Sequence, residues 1–243
     1  MCVVLVLRRP GHRWPLLMAA NREEMADRPS RPPGRHWPDR PEVRAGYDES
    51  SGGSWLGIND YGVTAALLNR HGTLGPQAGK RSRGELVLDA LDHADASVAA
   101  KSLIDLDPRA YRGFNLVLAD DQDAYWLRSD EEKLTVAEIP EGFSMFGAWE
   151  RSDPGDPRVK RHLTRFIAAP VPDPDSGDWG AWQALLAQDD KADPRQGLTL
   201  HLPNGYGTRA SSLIALPTLG DGRQPVFLHA DGPPATHPYE PVA

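Results

Sequence analysis

The chain has 243 residues, a formal net charge of −7 and a pI near 5.6, which argues against a nucleic-acid partner and for a small molecule or a protein. Its 40% hydrophobic content supports a real core, read here as a single domain over 1–243. One cysteine, Cys2, excludes an intramolecular disulfide and a multi-cysteine metal centre, and the eight scattered histidines form no metal or haem-attachment motif. No glycine-rich nucleotide loop occurs either, so no cofactor is expected.

In chain order, residues 2–7 and 16–21 flank Arg9-Pro10-Gly11-His12 and read as a hairpin of two strands. The first is apolar at odd and even positions alike, so both of its faces must be covered. It is short, lacks a basic segment before it and runs into Arg8-Arg9-Pro10-Gly11, so it reads as neither a signal peptide nor a membrane span. A cytoplasmic location is the expectation. Residues 29–41 hold too many prolines for a helix or a central strand and read as a stiff surface loop, long enough to be a lid. Strands follow at 54–58 and 62–68 around the turn Asn59-Asp60-Tyr61-Gly62.

Ser82 and Glu85 have capping-box spacing before a helix through Leu91, and a second helix is predicted over 96–104. A hairpin is predicted from 114–119 and 124–128, then a strand over 134–139. Helices over 160–168 and 179–187 precede strands over 207–216 and 224–229, with a frayed tail from about 231. Strands and helices thus come in groups, which suggests helices outside two facing sheets rather than β-α-β crossovers.

Three constellations could carry chemistry. Cys2 stands directly behind Met1, and removal of Met1 would leave a residue with both a thiol and an α-amine of pKa roughly 7.7 to 8.0. A small buried hydrophobe is the equally weighted alternative. If 16–24 is one strand, Arg22 and Glu24 share a face while Asn21 and Glu23 share the other, so Arg22 could favour a Cys2 thiolate and Glu24 could orient Arg22 or the amine. Asn69 and Asn115 are candidate oxyanion donors, Arg209 a candidate fork for a carboxylate or phosphate, and Trp55 a pocket wall or core residue. Each has a plainer reading as strand end, turn former, salt bridge or core.

Taken together, Met1-Cys2, Asn21-Arg22-Glu23-Glu24, Arg28-Pro29, Gly52-Gly53-Ser54-Trp55-Leu56-Gly57, Asn69-Arg70, Ser82-Arg83-Gly84, Phe114-Asn115-Leu116 and Tyr206-Gly207-Thr208-Arg209 resemble, in order, the NRDE family, also called the transport and Golgi organisation family. The resemblance runs from Met1 to about Ser212. It departs at Glu23, where the family has Asp, and around 145–149, where an expected asparagine is absent. The family is similar in turn to N-terminal-nucleophile (Ntn) hydrolases of the penicillin-acylase and bile-salt-hydrolase kind. The resemblance therefore implies an α+β fold, a four-layer αββα sandwich, and a hydrolase acting on a linear, non-peptide amide. In that reading Cys2, Arg22, Glu24, Asn69 and Asn115 are catalytic, and Asn21, Trp55 and Arg209 bind substrate. The alternative implied by the same family is a non-catalytic carrier of a haem-like or lipid-like ligand, or, less favoured, a trafficking adaptor.

Overall fold

A computed structural model of the chain describes residues 2–243. In chain order the strands are β1 (Val3–Arg8), β2 (Leu16–Met25), β3 (Ser30–Gly34), β4 (Val43–Asp48), β5 (Leu56–Asn59), β6 (Thr64–Asn69), β7 (Phe114–Ala119), β8 (Ala124–Ser129), β9 (Leu134–Glu138), β10 (Gly142–Phe146), β11 (Tyr206–Leu216), β12 (Val226–Ala230) and β13 (Glu240–Pro241). The α-helices are α1 (Glu85–Leu91), α2 (Ala96–Leu103), α3 (Pro157–Ala168) and α4 (Gly180–Leu186). The chain divides into two compact units. One comprises the residues up to Asp27 with Glu141–Pro217 and Gln224–Val242; the other comprises Arg28–Pro140 and Thr218–Arg223.

The first unit is built on an antiparallel sheet in the order β10-β1-β2-β11-β12-β13. Val3, Leu5 and Leu7 of β1, Leu17 and Ala19 of β2, and Leu213 and Ala215 of β11 form one core with Val159 and Phe166 of α3 and Trp182, Leu185 and Leu186 of α4. Trp182 is completely buried there, edge-on to Phe166 at 5.7 Å and to Trp179 at 6.3 Å. The alternate residues Val4, Val6, Leu16, Met18 and Ile214 are as deeply buried. Both faces of the central strands are therefore withdrawn from water, which is what the unalternating sequence of β1 demands. At the start of α3, Asp156 accepts the Arg158 amide at 2.9 Å and Pro157 takes the first helical position, where its missing N–H costs nothing.

The second unit carries the sheet β3-β4-β5-β6-β7-β8-β9. Leu86, Val87, Ala90 and Leu91 of α1 and Ala96, Ala99, Ala100 and Leu103 of α2 pack with Val43, Ala45, Ala65, Leu116, Leu118 and Leu127 of this sheet. Two glycines make room for a close approach: a Cβ at Gly46 would lie 2.2 Å from the Trp55 ring, and one at Gly53 would lie 2.5 Å from the backbone of Gly84. Asn59 locks α1 to the β5–β6 hairpin. Its Nδ2 donates to the carbonyls of Leu91 at 2.8 Å and His93 at 2.7 Å, and its Oδ1 accepts from the amides of Tyr61 at 3.1 Å and Val63 at 2.9 Å.

Four expectations are revised. The capping box does not form: Gly84 caps α1 without a side-chain bond, and the Glu85 carboxylate is taken by Tyr111 and Arg81. Within the proline-rich segment, β3 pairs with β4 at the sheet edge, where prolines need donate nothing inward. Strands β4 and β10, unmarked by alternation, complete the two sheets. The tail expected to fray is tied down, β13 pairing with Leu228 and His229 and Tyr239 bonding Ser211 through its hydroxyl at 2.6 Å. Among the described residues no helix is long and apolar enough to cross a membrane.

Asn59→Ala would remove four hydrogen bonds, those to the Leu91 carbonyl and the Val63 amide at buried positions. At roughly 1–3 kcal/mol for each unsatisfied group, urea denaturation is expected to show a loss of about 3 kcal/mol or more.

Candidate active site

The site centres on β2, a ten-residue strand whose polar end is buried as far as Glu23. β1 pairs with it so that Val3 faces Asn21 and Val4 faces Ala20. Continued by one residue, that register sets Cys2 level with Arg22. By strand alternation Arg22 and Glu24 project to one side of the sheet, and Asn21 and Glu23 project to the helix side, while the Cys2 thiol meets the backbone of Glu23. The expected alternation holds through the polar stretch.

Cys2 is half-buried. Its Sγ accepts the Glu23 amide at 3.3 Å and its thiol lies 3.7 Å from the Glu23 carbonyl. Burial, and next the negative charge of Glu23, raises the thiol pKa; the backbone bond from Glu23 and the charge of Arg22 pull it down without reversing the sign.

On the helix side, the completely buried Glu23 carboxylate meets Arg158 in a two-pronged pair, Nη1 to Oε2 at 3.0 Å and Nη2 to Oε1 at 2.5 Å. Arg158 Nη2 also donates to the Leu198 carbonyl at 3.1 Å. Desolvation works against the guanidinium charge, yet Glu23 outweighs it and the Arg158 pKa is raised. Asn21 spends its Nδ2 on the carbonyls of Leu186 at 3.0 Å and Leu198 at 2.9 Å, and its Oδ1 accepts from Ser211 at 2.6 Å. It thereby ties β2 to the end of α4 and to the segment that follows it.

Arg209 sits in a β-bulge, where the β2–β11 register shifts between Thr208 and Ala210. Its Nε donates to the Glu24 carbonyl at 3.3 Å and its Nη2 to the Gly205 carbonyl at 2.6 Å, so it closes the end of β2 over the turn before β11. The Glu24 carboxylate accepts the Met25 amide at 2.9 Å. Along the face that carries Arg22, Ser212 and His229 are bonded through Oγ and Nδ1 at 2.9 Å. Burial, then the charge of Arg22, lowers the His229 pKa to about 4.

The other three candidates belong to the second unit. Asn115 is completely buried in β7, where its Oδ1 accepts from Arg70 at 2.9 Å and from Trp126 at 3.1 Å, which fixes the orientation of its amide. Asn69 ends β6 opposite Phe114, and Trp55 lies over Gly46. Among the described residues no group of three His, Cys, Asp or Glu side chains is placed to hold a metal. Sequence reasoning missed Arg158 and the Ser212–His229 pair. A buried carboxylate on a strand signals a cationic partner, but nothing local says which of many arginines supplies it.

Comparison with known proteins adds two findings. The model of the Transport and Golgi organisation 2 family matches residues 1–221. Transport and Golgi organization protein 2 homologs of Bos taurus and Homo sapiens are each 35% identical over 129 residues, 49% of this chain and 45% of theirs. The chain thus aligns with less than half the length of these relatives. Among solved structures, a Caenorhabditis elegans N-acylethanolamine-hydrolyzing acid amidase ortholog superposes with a TM-score of 0.57 at 13% identity, over 90% of this chain and 94% of its own. The mutant C2A conjugated bile acid hydrolase from Clostridium perfringens does so with a TM-score of 0.52 at 11% identity, over 100% and 97%. At such identities the likeness is one of fold, and that fold is the α+β fold of the Ntn hydrolases.

Breaking the buried pair by Glu23→Gln or Arg158→Met leaves one uncompensated charge, and denaturant titration should show a loss of about 3–5 kcal/mol. His229, whose pKa falls from 6.5 to about 4 on folding, contributes stability that is full above pH 6.5 and is lost as the pH drops through 4. The contribution is about 3 kcal/mol, and His229→Gln should flatten that part of the stability–pH curve.

Proposed function

The chain belongs to the Transport and Golgi organisation 2 family, and on that premise we propose that it is an N-terminal-cysteine hydrolase of linear, non-peptide amides such as N-acylated amines or amino acids. The observation that carries this reading is Cys2 at the head of β1, its sulfur held by the Glu23 amide at 3.3 Å and level with the buried Arg22. Two neighbours in fold support the reaction class, one an N-acylethanolamine-hydrolyzing acid amidase and the other a conjugated bile acid hydrolase.

Removal of Met1 frees the α-amine of Cys2, which takes the thiol proton. The sulfur attacks the amide carbonyl carbon, and Arg22 stabilises the thiolate as it forms. Collapse of the tetrahedral intermediate breaks the C–N bond, and the ammonium returns its proton to the departing amine. Water, deprotonated by the same amine, then cleaves the thioester and releases the carboxylic acid. Glu24, on the face of Arg22, orients that guanidinium or the amine, while the bonds of Asn21 and Arg209 hold the ends of β2 in place for the substrate.

A second reading draws on the thiol itself. While Met1 is retained there is no free amine on Cys2, and burial keeps the thiol protonated. In that form Cys2 is a neutral contact for a haem-like or lipid-like ligand, and the chain is a carrier.

Intact-mass analysis of untagged protein, before and after brief exposure to limiting iodoacetamide near neutral pH, separates the two. Loss of Met1 with rapid single alkylation is expected, followed by turnover of N-acyl amides that vanishes in Cys2→Ala and whenever Met1 is retained. With Met1 retained, the pH midpoint of alkylation should lie above the ordinary thiol range, since a raised pKa delays the thiolate. Hydrolysis that survives Cys2→Ala would overturn the proposal.

A further inference from the structure

The face of the first sheet that carries Arg22 holds a second polar group which the reaction above leaves idle. Ser212 of β11 and His229 of β12 stand in the cross-strand row Val4, Ala20, Ser212, His229. The next row on the same face holds Arg22 and Ala210, with Cys2 level with them. The His229 residue is only 6% exposed. Nδ1 is taken by Ser212 Oγ at 2.9 Å, whereas Nε2 is fully buried and has no hydrogen-bond partner.

A ring kept neutral by burial carries a single proton. When the Ser212 hydroxyl donates to Nδ1, that proton resides on Nε2, leaving a buried N–H without an acceptor. Proteins seldom keep such a group unless something supplies the missing partner. The surroundings say what that partner is. The charge of Arg22 acts on His229, so a donor in a positive field is complementary to an anionic oxygen. Ala20 and Ala210, beside Arg22 and Ser212, present only single methyl groups on this face. Arg209, the other cation considered for an anionic end, has its Nε and Nη2 on backbone carbonyls.

We propose that His229 Nε2–H, in the field of Arg22, binds a carboxylate oxygen of the molecule that Cys2 attacks, so that the preferred substrates are N-acyl amino acids rather than neutral N-acyl amines. This rests on the hydrolase reading and narrows it. Ser212 is the positioning residue in this proposal: by donating to Nδ1 its hydroxyl would hold the ring proton on Nε2.

The test uses Cys2→Ala protein, so that binding is read without turnover. N-hexanoylglycine and its neutral counterpart N-ethylhexanamide are titrated calorimetrically. The carboxylate compound should bind at least ten-fold more tightly, and His229→Phe in the same background should reduce that preference below two-fold. Should His229→Phe fail to fold, Ser212→Ala serves, because it releases Nδ1 and should also weaken the preference. In 15N-histidine spectra, N-hexanoylglycine should move the His229 Nε2 signal and N-ethylhexanamide should not. Equal affinities, a preference unchanged by His229→Phe, an Nε2 signal that stays put with ligand bound, or no binding of N-hexanoylglycine at millimolar concentration would each overturn the proposal. A His229-dependent preference in protein whose wild type lacks turnover sustains this site and sinks the hydrolase reading; turnover without the preference does the reverse.

Discussion

The Cys2 sulfur meets the backbone of Glu23, whose side chain is held in a buried ion pair with Arg158. Removing two charges from water costs several kcal/mol for each, and such a pair persists only with good geometry and satisfied hydrogen bonds. Here two N–H···O contacts join the partners and the Leu198 carbonyl takes a third. The backbone of the same glutamate donates to the Cys2 sulfur. The thiol thus meets the backbone of a strand residue whose carboxylate is paired with the first turn of α3. That turn is set by the Asp156 cap and Pro157, so a local helix signal in the sequence places the partner of the buried carboxylate beside the candidate nucleophile.

Strand alternation divides the labour around it. One face of β2 is structural: Leu17 and Ala19 fill the core beneath α3 and α4, and Asn21 and Glu23 extend that face into polar contacts with the same helical layer. The other face bears Arg22 and Glu24, with Cys2 level across β1 and the Ser212–His229 pair one row along. A one-residue slip would exchange the two faces and bury the wrong set. The bulge at Arg209 lies where this division ends, and its guanidinium binds the carbonyls that close the strand.

Much of this was legible from residue order. The hairpin of β1 and β2, the burial of both faces of β1, the extension of β2 through Glu24 and the separation of Arg22 from Glu23 all follow from the two-residue period of a strand. Helix α2 could be read from its spacing. The short strands β4 and β10 could not, because Val43–Asp48 and Gly142–Phe146 mix glycine, charge and aromatic residues without alternation, and only pairing with β5 and β1 makes them strands. The capping box at Ser82 failed for a comparable reason. Gly84 packs against Gly53 and Glu85 is claimed by Tyr111 and Arg81, contacts from distant segments that outweigh a weak local preference.

By itself the sequence determined the residue types of the candidate site, the elements that bear most of them and the face each would occupy, because strand and helix periods act over neighbouring residues. Partnership was decided only by the tertiary structure. Glu23 and Arg158 are 135 positions apart, and Asn21 reaches across 165 and 177 positions to its two carbonyls. Ser212 and His229 meet only because β11 and β12 align in one register. Such contacts are selected by burial, where an unpaired charge or amide is too costly to tolerate, and burial belongs to the folded chain rather than to any stretch of its sequence.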